Sequence, residues 1–133
     1  VKLANLNLDP LVLSWIQAFL KNQTQFVVAN GISSSLVSVS SGIPQGSVIG
    51  PLLFLIYIND LPSGLSSSIR FFADDCVIYR DICSSSDHAF LQNDLNKIFS
   101  WCSTWQLPVN ISKCKIMSFT RSDPLIFPYR LGA

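Results

Sequence analysis

The sequence contains no glutamate, and all eight of its acidic residues are aspartates. Charged residues make up 13% of the 133 positions, about half the usual share of a soluble domain, whereas hydrophobic residues make up 49%. This balance excludes intrinsic disorder, which needs low hydrophobicity and a high net charge. Because glutamate is favoured on solvated helix faces, its absence is typical of a piece of a larger protein whose surface is partly covered.

Histidine is nearly absent too, since His88 is the only one and lies in a polar stretch. The four cysteines, Cys76, Cys83, Cys102 and Cys114, form no C-x-x-C pair. A structural zinc site is therefore not expected, because it needs four well-spaced Cys or His ligands. A disulfide scaffold is not expected in a chain large enough to build a core, so we predict reduced thiols in an intracellular protein. No nucleophile is placed near His88, which disfavours a Ser-His or Cys-His catalytic site.

A strong net charge and a membrane-spanning run are also missing. The formal net charge is +1, so composition provides no strong attraction for nucleic acid or for a membrane surface. The N-terminal residues show no signal-peptide pattern. The longest apolar run, residues 48–58, is shorter than the roughly 20 residues that span a bilayer. The run is apolar nearly all round, which predicts a buried helix over 48–59.

Turn and periodicity signals predict the elements of the first half. Asp9-Pro10 is typical of a helix start, and apolar residues then recur at helical spacing, which predicts a helix over 10–22. Asn30-Gly31 favours a hairpin between strands 25–29 and 32–40, because both residues tolerate positive φ.

In the second half, strands are predicted over 69–73 and 76–80, followed by a long helix over 87–105. A last strand is predicted over 116–120 and an irregular tail over 121–133. The long helix is amphipathic, with an apolar stripe of Leu91, Leu95, Ile98, Cys102 and Trp105. These elements together predict an α+β fold.

The sharpest chemical feature is the adjacent pair Asp74 and Asp75, which lies between two apolar strands. Two like charges this close repel each other, and a nearby cation favours their charged forms. Magnesium suits such a pair, because it takes one or two carboxylates together with waters and substrate phosphates. A solvated hairpin turn is the alternative, since turns favour aspartate. The pair taken alone leaves both interpretations open.

Three segments, in order along nearly the whole chain, resemble motifs of reverse transcriptases. The stretch Phe71-Phe72-Ala73-Asp74-Asp75 resembles the Phe/Tyr-x-Asp-Asp box at a hairpin tip of the polymerase palm. The preceding motif is matched by Ser41-Gly42-Ile43-Pro44-Gln45-Gly46-Ser47 and its continuation to Pro62, in a form most similar to reverse transcriptases of non-LTR retrotransposons. The next motif is matched by Trp101 to Trp105, then Leu107, Asn110 and Lys113.

The resemblance implies an RNA-directed DNA polymerase whose palm-like antiparallel sheet is packed with helices on one face. It implies that Asp74 and Asp75 are catalytic ligands of two Mg²⁺ ions, or of Mn²⁺, about 3.5–4 Å apart. It places a further set at the template or the incoming nucleotide, namely Gly42, Pro44, Gln45, Gly46 and Lys113. The alternatives are a turn that leads into a helix for the Pro-Gln pair and a solvated side chain for the lysine.

The partners that the resemblance implies are an RNA template, a DNA primer, deoxynucleoside triphosphates and the remainder of a longer polyprotein, with no membrane. We expect the protein in the nucleus or in a cytoplasmic ribonucleoprotein. An alternative function is a non-catalytic nucleic-acid-binding or interaction module derived from a reverse transcriptase. An unrelated α+β domain with a chance Asp-Asp turn is a third interpretation.

The chain departs from the family pattern where a third metal-binding aspartate is expected, on a strand before helix 10–22. Residues 1–9 contain only Asp9, which is typical of a helix cap. An arginine that the family often has near Gln23 is also missing. We therefore expect residues 1–133 to form a partial reverse transcriptase domain, a palm with part of the fingers, that lacks the upstream catalytic strand and the downstream thumb. Such a chain is predicted to be inactive alone.

Overall fold

The computed structural model describes residues 2–121 and 127–132. In these ranges the helices are α1 (Pro10–Leu20), α2 (Gly50–Ile58) and α3 (Ser85–Thr104), with short 3₁₀ helices at Lys2–Leu6 and Ile111–Lys113. The strands are β1 (Thr24–Gln25), β2 (Val28–Ala29), β3 (Ile32–Ser33), β4 (Val37–Ser38), β5 (Ser68–Phe72) and β6 (Asp75–Tyr79). The chain divides into two compact units, residues 1–59 and 60–133.

Helix α1 begins at the predicted cap. The Asp9 carboxylate accepts a hydrogen bond of 2.7 Å from the backbone N–H of Leu11, and Pro10 occupies the first helical position. The helix ends at Leu20 and not at residue 22, because Lys21 is extended and Asn22 has a φ of 56°. The predicted helix is confirmed with a slightly earlier end.

The predicted hairpin around Asn30-Gly31 is confirmed, with φ of 52° and 76° at the two turn residues. Its strands are shorter than expected, because each predicted strand splits into two of two residues, which pair as β2–β3 and β1–β4. Ser34 lies between the two pairs and is hydrogen-bonded to Val27 across the hairpin. Its hydroxyl accepts from the backbone N–H of Val27, while its own N–H donates to the Val27 carbonyl.

Helix α2 is buried on one face only, which corrects the expectation of a helix buried all round. Leu53 and Ile58 are buried, whereas Leu52 and Leu55 are more than half exposed. The 3₁₀ helix Lys2–Leu6 contacts α2 and covers only part of its circumference. No helix in the described ranges is both long enough and apolar enough to cross a bilayer.

In the second unit, β5 and β6 form an antiparallel hairpin with a two-residue turn. The register runs from Ser68 opposite Tyr79 to Phe72 opposite Asp75, which confirms the two predicted strands within one residue. One face of this hairpin packs on α3 through a core of Leu61, Ile69, Ile98 and Cys102, with Phe71, Ile78 and Trp101 packed against it. The core therefore fixes which hairpin face is covered.

Helix α3 follows the predicted apolar stripe. Ile98 and Cys102 are buried, and Leu91, Leu95 and Trp105 are half-buried. The helix starts at Ser85, where the Asp87 carboxylate accepts from the backbone N–H of Ser84, as in a capping box.

The last predicted strand, 116–120, is not formed, since these residues have no regular structure. Ile116, Met117 and Phe119 are largely exposed, and no neighbouring strand pairs with this β-prone segment in the described ranges. The predicted irregular tail, 121–133, is irregular at 121 and 127–132, and its remaining residues lie outside the described ones. The described chain is thus an α+β fold, with three separate two-stranded antiparallel sheets.

Candidate functional site

Asp74 and Asp75 lie at the tip of the β5–β6 hairpin. The two-residue turn consists of Ala73 and Asp74, and Asp75 is the first residue of β6. Ala73 has a φ of 51°, a left-handed conformation that costs about 1–2 kcal/mol for a residue with a Cβ. Both carboxylates are exposed, and neither forms a hydrogen bond or an ion pair with the described residues. The turn therefore presents two adjacent carboxylates to solvent.

The open face of the hairpin is aromatic next to these carboxylates. Phe72 lies opposite Asp75 and is 83% exposed, and Val77 and Tyr79 continue the same face as exposed side chains. The Arg70 guanidinium carbon lies 5.9 Å from the centre of the Tyr79 ring. This face combines flat apolar rings, one cation and two anions, and the described residues leave it uncovered.

The donor chemistry of the pair fits part of a magnesium site. Carboxylate oxygens are the ligands that Mg²⁺ prefers, and the ion usually keeps waters and substrate phosphates in its other positions. No group of three His, Cys, Asp or Glu side chains that could hold a metal occurs among residues 2–121 and 127–132. Asp9, the acid nearest the N-terminus, caps α1. The described residues therefore supply two ligands and leave the other positions to waters, to substrate or to groups outside them.

The thiol next to the pair stays protonated. Desolvation, with smaller contributions from Cys102 and Cys114, raises the pKa of the Cys76 thiol to about 11. Since the thiolate is the form that attacks electrophiles and binds metals, this raised pKa disfavours Cys76 as a nucleophile or a ligand near neutral pH. All four cysteines are free thiols.

The residues predicted at the template lie in one loop of the first unit. Gly42 and Gly46 have φ of 93° and 80°, which L side chains rarely adopt, and no described atom lies within 4 Å of a Cβ added at either. Pro44 is half-buried, and its carbonyl accepts from the Ser47 N–H. Gln45, between Pro44 and Gly46, is exposed. The loop thus presents a glycine-flanked, solvent-facing amide.

The hydroxyl of Ser47 joins this loop to the start of α2. Its Oγ accepts from the Gly50 N–H at 3.1 Å, and a Cβ at Gly50 would lie 2.7 Å from that oxygen. A side chain at position 50 would therefore displace the contact that holds the loop.

Lys113, the last candidate, ends the 3₁₀ helix Ile111–Lys113 in the second unit and is exposed. The backbone N–H of Lys113 donates to the Asn110 carbonyl, which fixes the turn but leaves the ammonium in solvent. The sequence interpretations of Lys113, a nucleotide contact or a solvated lysine, both agree with this placement.

His88 has a structural contact that the sequence did not reveal. Its ring stacks on Phe127 at a centroid distance of 4.7 Å, and Nδ1 lies 2.6 Å from the Tyr129 hydroxyl. The His88 side chain thereby attaches residues 127–129 to α3, which is a structural role.

Sequence reasoning also missed Asp94, whose carboxylate is completely buried. A signal was present, because Asp94 lies three residues after Leu91 and four before Ile98, on the apolar stripe of α3. A charged residue at such a position must be paired or hydrogen-bonded, so the position of Asp94 predicts a structural role.

Comparison with known proteins identifies the class of protein to which the chain belongs. A family model described as reverse transcriptase (RNA-dependent DNA polymerase) matches residues 1–127. This match covers nearly the whole chain, including the turn, the glycine-containing loop and Lys113. The chain belongs to the reverse transcriptase family.

The relatives come from mobile elements. The chain is 32% identical over 124 residues to the RNA-directed DNA polymerase from mobile element jockey of Drosophila funebris. The match covers 86% of this chain and 14% of the relative. The corresponding protein of Drosophila melanogaster is 28% identical over 113 residues, 78% of this chain and 12% of the relative. These matches confirm the resemblance to reverse transcriptases of non-LTR retrotransposons. No solved structure matches the chain significantly.

Proposed function

We propose that this chain contributes the paired metal-binding carboxylates of an RNA-directed DNA polymerase that extends a DNA primer on an RNA template. The observation that carries the proposal is the exposed, unpaired Asp74-Asp75 turn inside a segment that the reverse transcriptase family model covers. The chain spans 14% of the length of the first relative it matches, so the full reaction belongs to a longer polypeptide in that relative.

Asp74 and Asp75 would hold Mg²⁺, with Mn²⁺ as a substitute. When bound, the ions would activate the primer 3′-hydroxyl and stabilise the charge on the leaving pyrophosphate. The chain's own contribution is geometric, because a two-residue turn fixes two carboxylates on one rigid hairpin. The β5–β6 hairpin, together with α3 on its covered face, is our candidate for part of a palm. The open face of the hairpin would meet the primer end.

The glycine-containing loop would contact the template or the new base pair. Gly42 and Gly46 leave open space on both sides of Pro44 and Gln45, so that a base can approach the backbone. Lys113 would contact the phosphates of the incoming deoxynucleoside triphosphate with its exposed ammonium. These roles, the partners and a location in the nucleus or in a cytoplasmic ribonucleoprotein are parts of the same proposal.

Titration of the 133-residue chain with Mn²⁺, followed by amide NMR, tests the metal site. We expect paramagnetic broadening centred on residues 73–76, displaced by excess Mg²⁺ and abolished in Asp74→Asn. Asp81→Asn is the matched control, since it removes the same charge from an exposed aspartate just beyond the other end of β6. Equal broadening in wild type and Asp74→Asn would contradict the metal site.

Primer extension on an RNA template tests the enzyme role. We expect the isolated chain to extend no primer, because the described residues supply only two metal ligands. Extension that Asp74→Asn abolishes would support the polymerase function and overturn the predicted inactivity. The non-catalytic module would be favoured instead if the turn binds no metal and if Asp74→Asn and Asp81→Asn both retain salt-sensitive RNA binding.

A further inference from the structure

Asp94 is a charged group with no accessible surface, and the proposed metal site does not use it. A buried carboxylate is costly unless its oxygens are hydrogen-bonded or paired with a cation. The partners of Asp94 therefore indicate what the residue does for the fold around it.

The Asp94 carboxylate holds the chain that leads into β5. Its Oδ2 accepts from the Ser66 N–H at 3.0 Å, the Ser66 hydroxyl at 2.8 Å and the Ser67 N–H at 2.7 Å. Its Oδ1 lies 3.3 Å from the Lys97 ammonium, which also donates to the carbonyl of Gly64. One side chain of α3 thus fixes both the backbone and a side chain just before the first hairpin strand.

The end of β6 is attached to the same point. Arg80, the residue after β6, donates from one terminal nitrogen to the Ser66 carbonyl at 3.2 Å. Its Nε donates to Asp87 Oδ1 at 3.1 Å, and Asp87 caps the start of α3. The open ends of both strands are therefore tied to one helix through charge-assisted hydrogen bonds.

The tip of the hairpin has no comparable support. The carboxylates of Asp74 and Asp75 form no hydrogen bond with the described residues, and the turn that includes Asp74 also contains the strained Ala73. The position of the tip must then be set by the hairpin register, by the core face and by the anchor at the base.

We propose that Asp94 is a positioning residue for the Asp74-Asp75 pair, because it fixes the base of the hairpin that carries the pair. The inference rests on the proposed metal role of the pair, and its structural part, the ordering of the hairpin, can be measured without metal. Asp94 acts through Ser66 and Ser67 and does not touch metal or substrate.

The test compares Asp94→Asn with Ile98→Val in the 133-residue chain. The asparagine has nearly the shape of the aspartate but lacks the charge, whereas Ile98→Val removes one methylene from the same core and leaves the hydrogen bonds intact. Ser66→Ala is a milder second variant, which deletes the hydroxyl that donates to Asp94 and accepts from Arg80 but keeps both backbone N–H donors, so the measurement stays possible if Asp94→Asn does not fold.

Amide hydrogen exchange without metal is the first measurement. We expect Asp94→Asn to accelerate exchange in β5 and β6 about tenfold relative to the last turns of α3, with a smaller selective change for Ser66→Ala. Ile98→Val should accelerate both regions together. If Asp94→Asn also accelerates both regions equally, Asp94 is merely a structural residue and the inference fails.

The Mn²⁺ titration is the second measurement. We expect Asp94→Asn to weaken broadening at residues 73–76 by at least about threefold in apparent affinity, while Ile98→Val leaves it unchanged. Binding that Asp94→Asn leaves intact would overturn the positioning role but not the metal role. No broadening in the wild type, together with selective loosening of the hairpin in Asp94→Asn, would overturn the metal role and keep the anchor.

Discussion

The neighbouring residues Phe71 and Phe72 are expected to contribute very unequally to stability. Phe71 packs against the core of the second unit, whereas Phe72 is 83% exposed on the opposite face of the hairpin. Truncation of a fully buried phenylalanine to alanine costs about 3–5 kcal/mol. Because Phe71 is only partly buried, we expect about 2 kcal/mol for Phe71→Ala, which is below the cost for a fully buried side chain. Phe72→Ala should stay within about 0.5 kcal/mol.

Urea unfolding measures both variants. Circular dichroism reports the helices, and fluorescence includes the signal of Trp101, which packs against the same core. For a slope of about 2 kcal/mol per molar urea, Phe71→Ala should lower the unfolding midpoint by about 1 M, and Phe72→Ala by less than about 0.3 M. If Phe71→Ala does not fold, Phe71→Leu provides a smaller perturbation with the same sign.

Equal costs for the two variants would refute the assignment of the hairpin faces. Side chains alternate along a strand, so a slip of one residue in register would exchange the places of Phe71 and Phe72 and move Asp75 to the covered face. A larger cost for Phe72→Ala would have the same meaning. The measurement therefore tests the geometry on which the exposed carboxylates depend.

Two further predictions concern the anchor at the base of the hairpin. Burial alone would raise the pKa of Asp94, but hydrogen bonds from Ser67 and Ser66 and the nearby Lys97 outweigh it and lower the pKa from 3.8 to about 2. Its stabilising contribution is complete above the unfolded pKa and is lost as pH falls towards 2, so the urea midpoint should fall between about pH 4 and pH 2 in wild type and less steeply in Asp94→Asn. A wild-type midpoint independent of pH in this window would contradict the network. Ser84→Ala should destabilise α3 by about 1 kcal/mol in thermal unfolding, because it replaces a favoured N-cap residue and removes the hydroxyl that donates to the Asp87 carboxylate at 2.8 Å, and the exposed Ser100→Ala should not. Equal melting of these two variants would show that the cap contributes nothing.

The elements that could be predicted from the sequence are those that interactions between adjacent residues specify. Asp9-Pro10 starts a helix and Asn30-Gly31 turns a hairpin because the side chains of a few adjacent residues set the backbone geometry. The Asp74-Asp75 pair could be named as the candidate site for a similar reason, since the motif is contiguous and its neighbours occur in family order. A third metal ligand could not be named, because a ligand set is assembled from distant parts of a chain.

Which side chains are buried follows from tertiary packing and could not be predicted from the sequence. Adjacent strand residues such as Phe71 and Phe72 point to opposite faces, and packing on α3 determines which of the two faces is buried. The segment 116–120 has β-prone residues yet forms no strand, because a strand needs a partner and none of the described strands pairs with it. The buried anchor at Asp94 depends on Ser66, 28 positions earlier. Burial and hydrogen bonding between distant residues arise only when the chain is folded, and a local pattern carries no record of them.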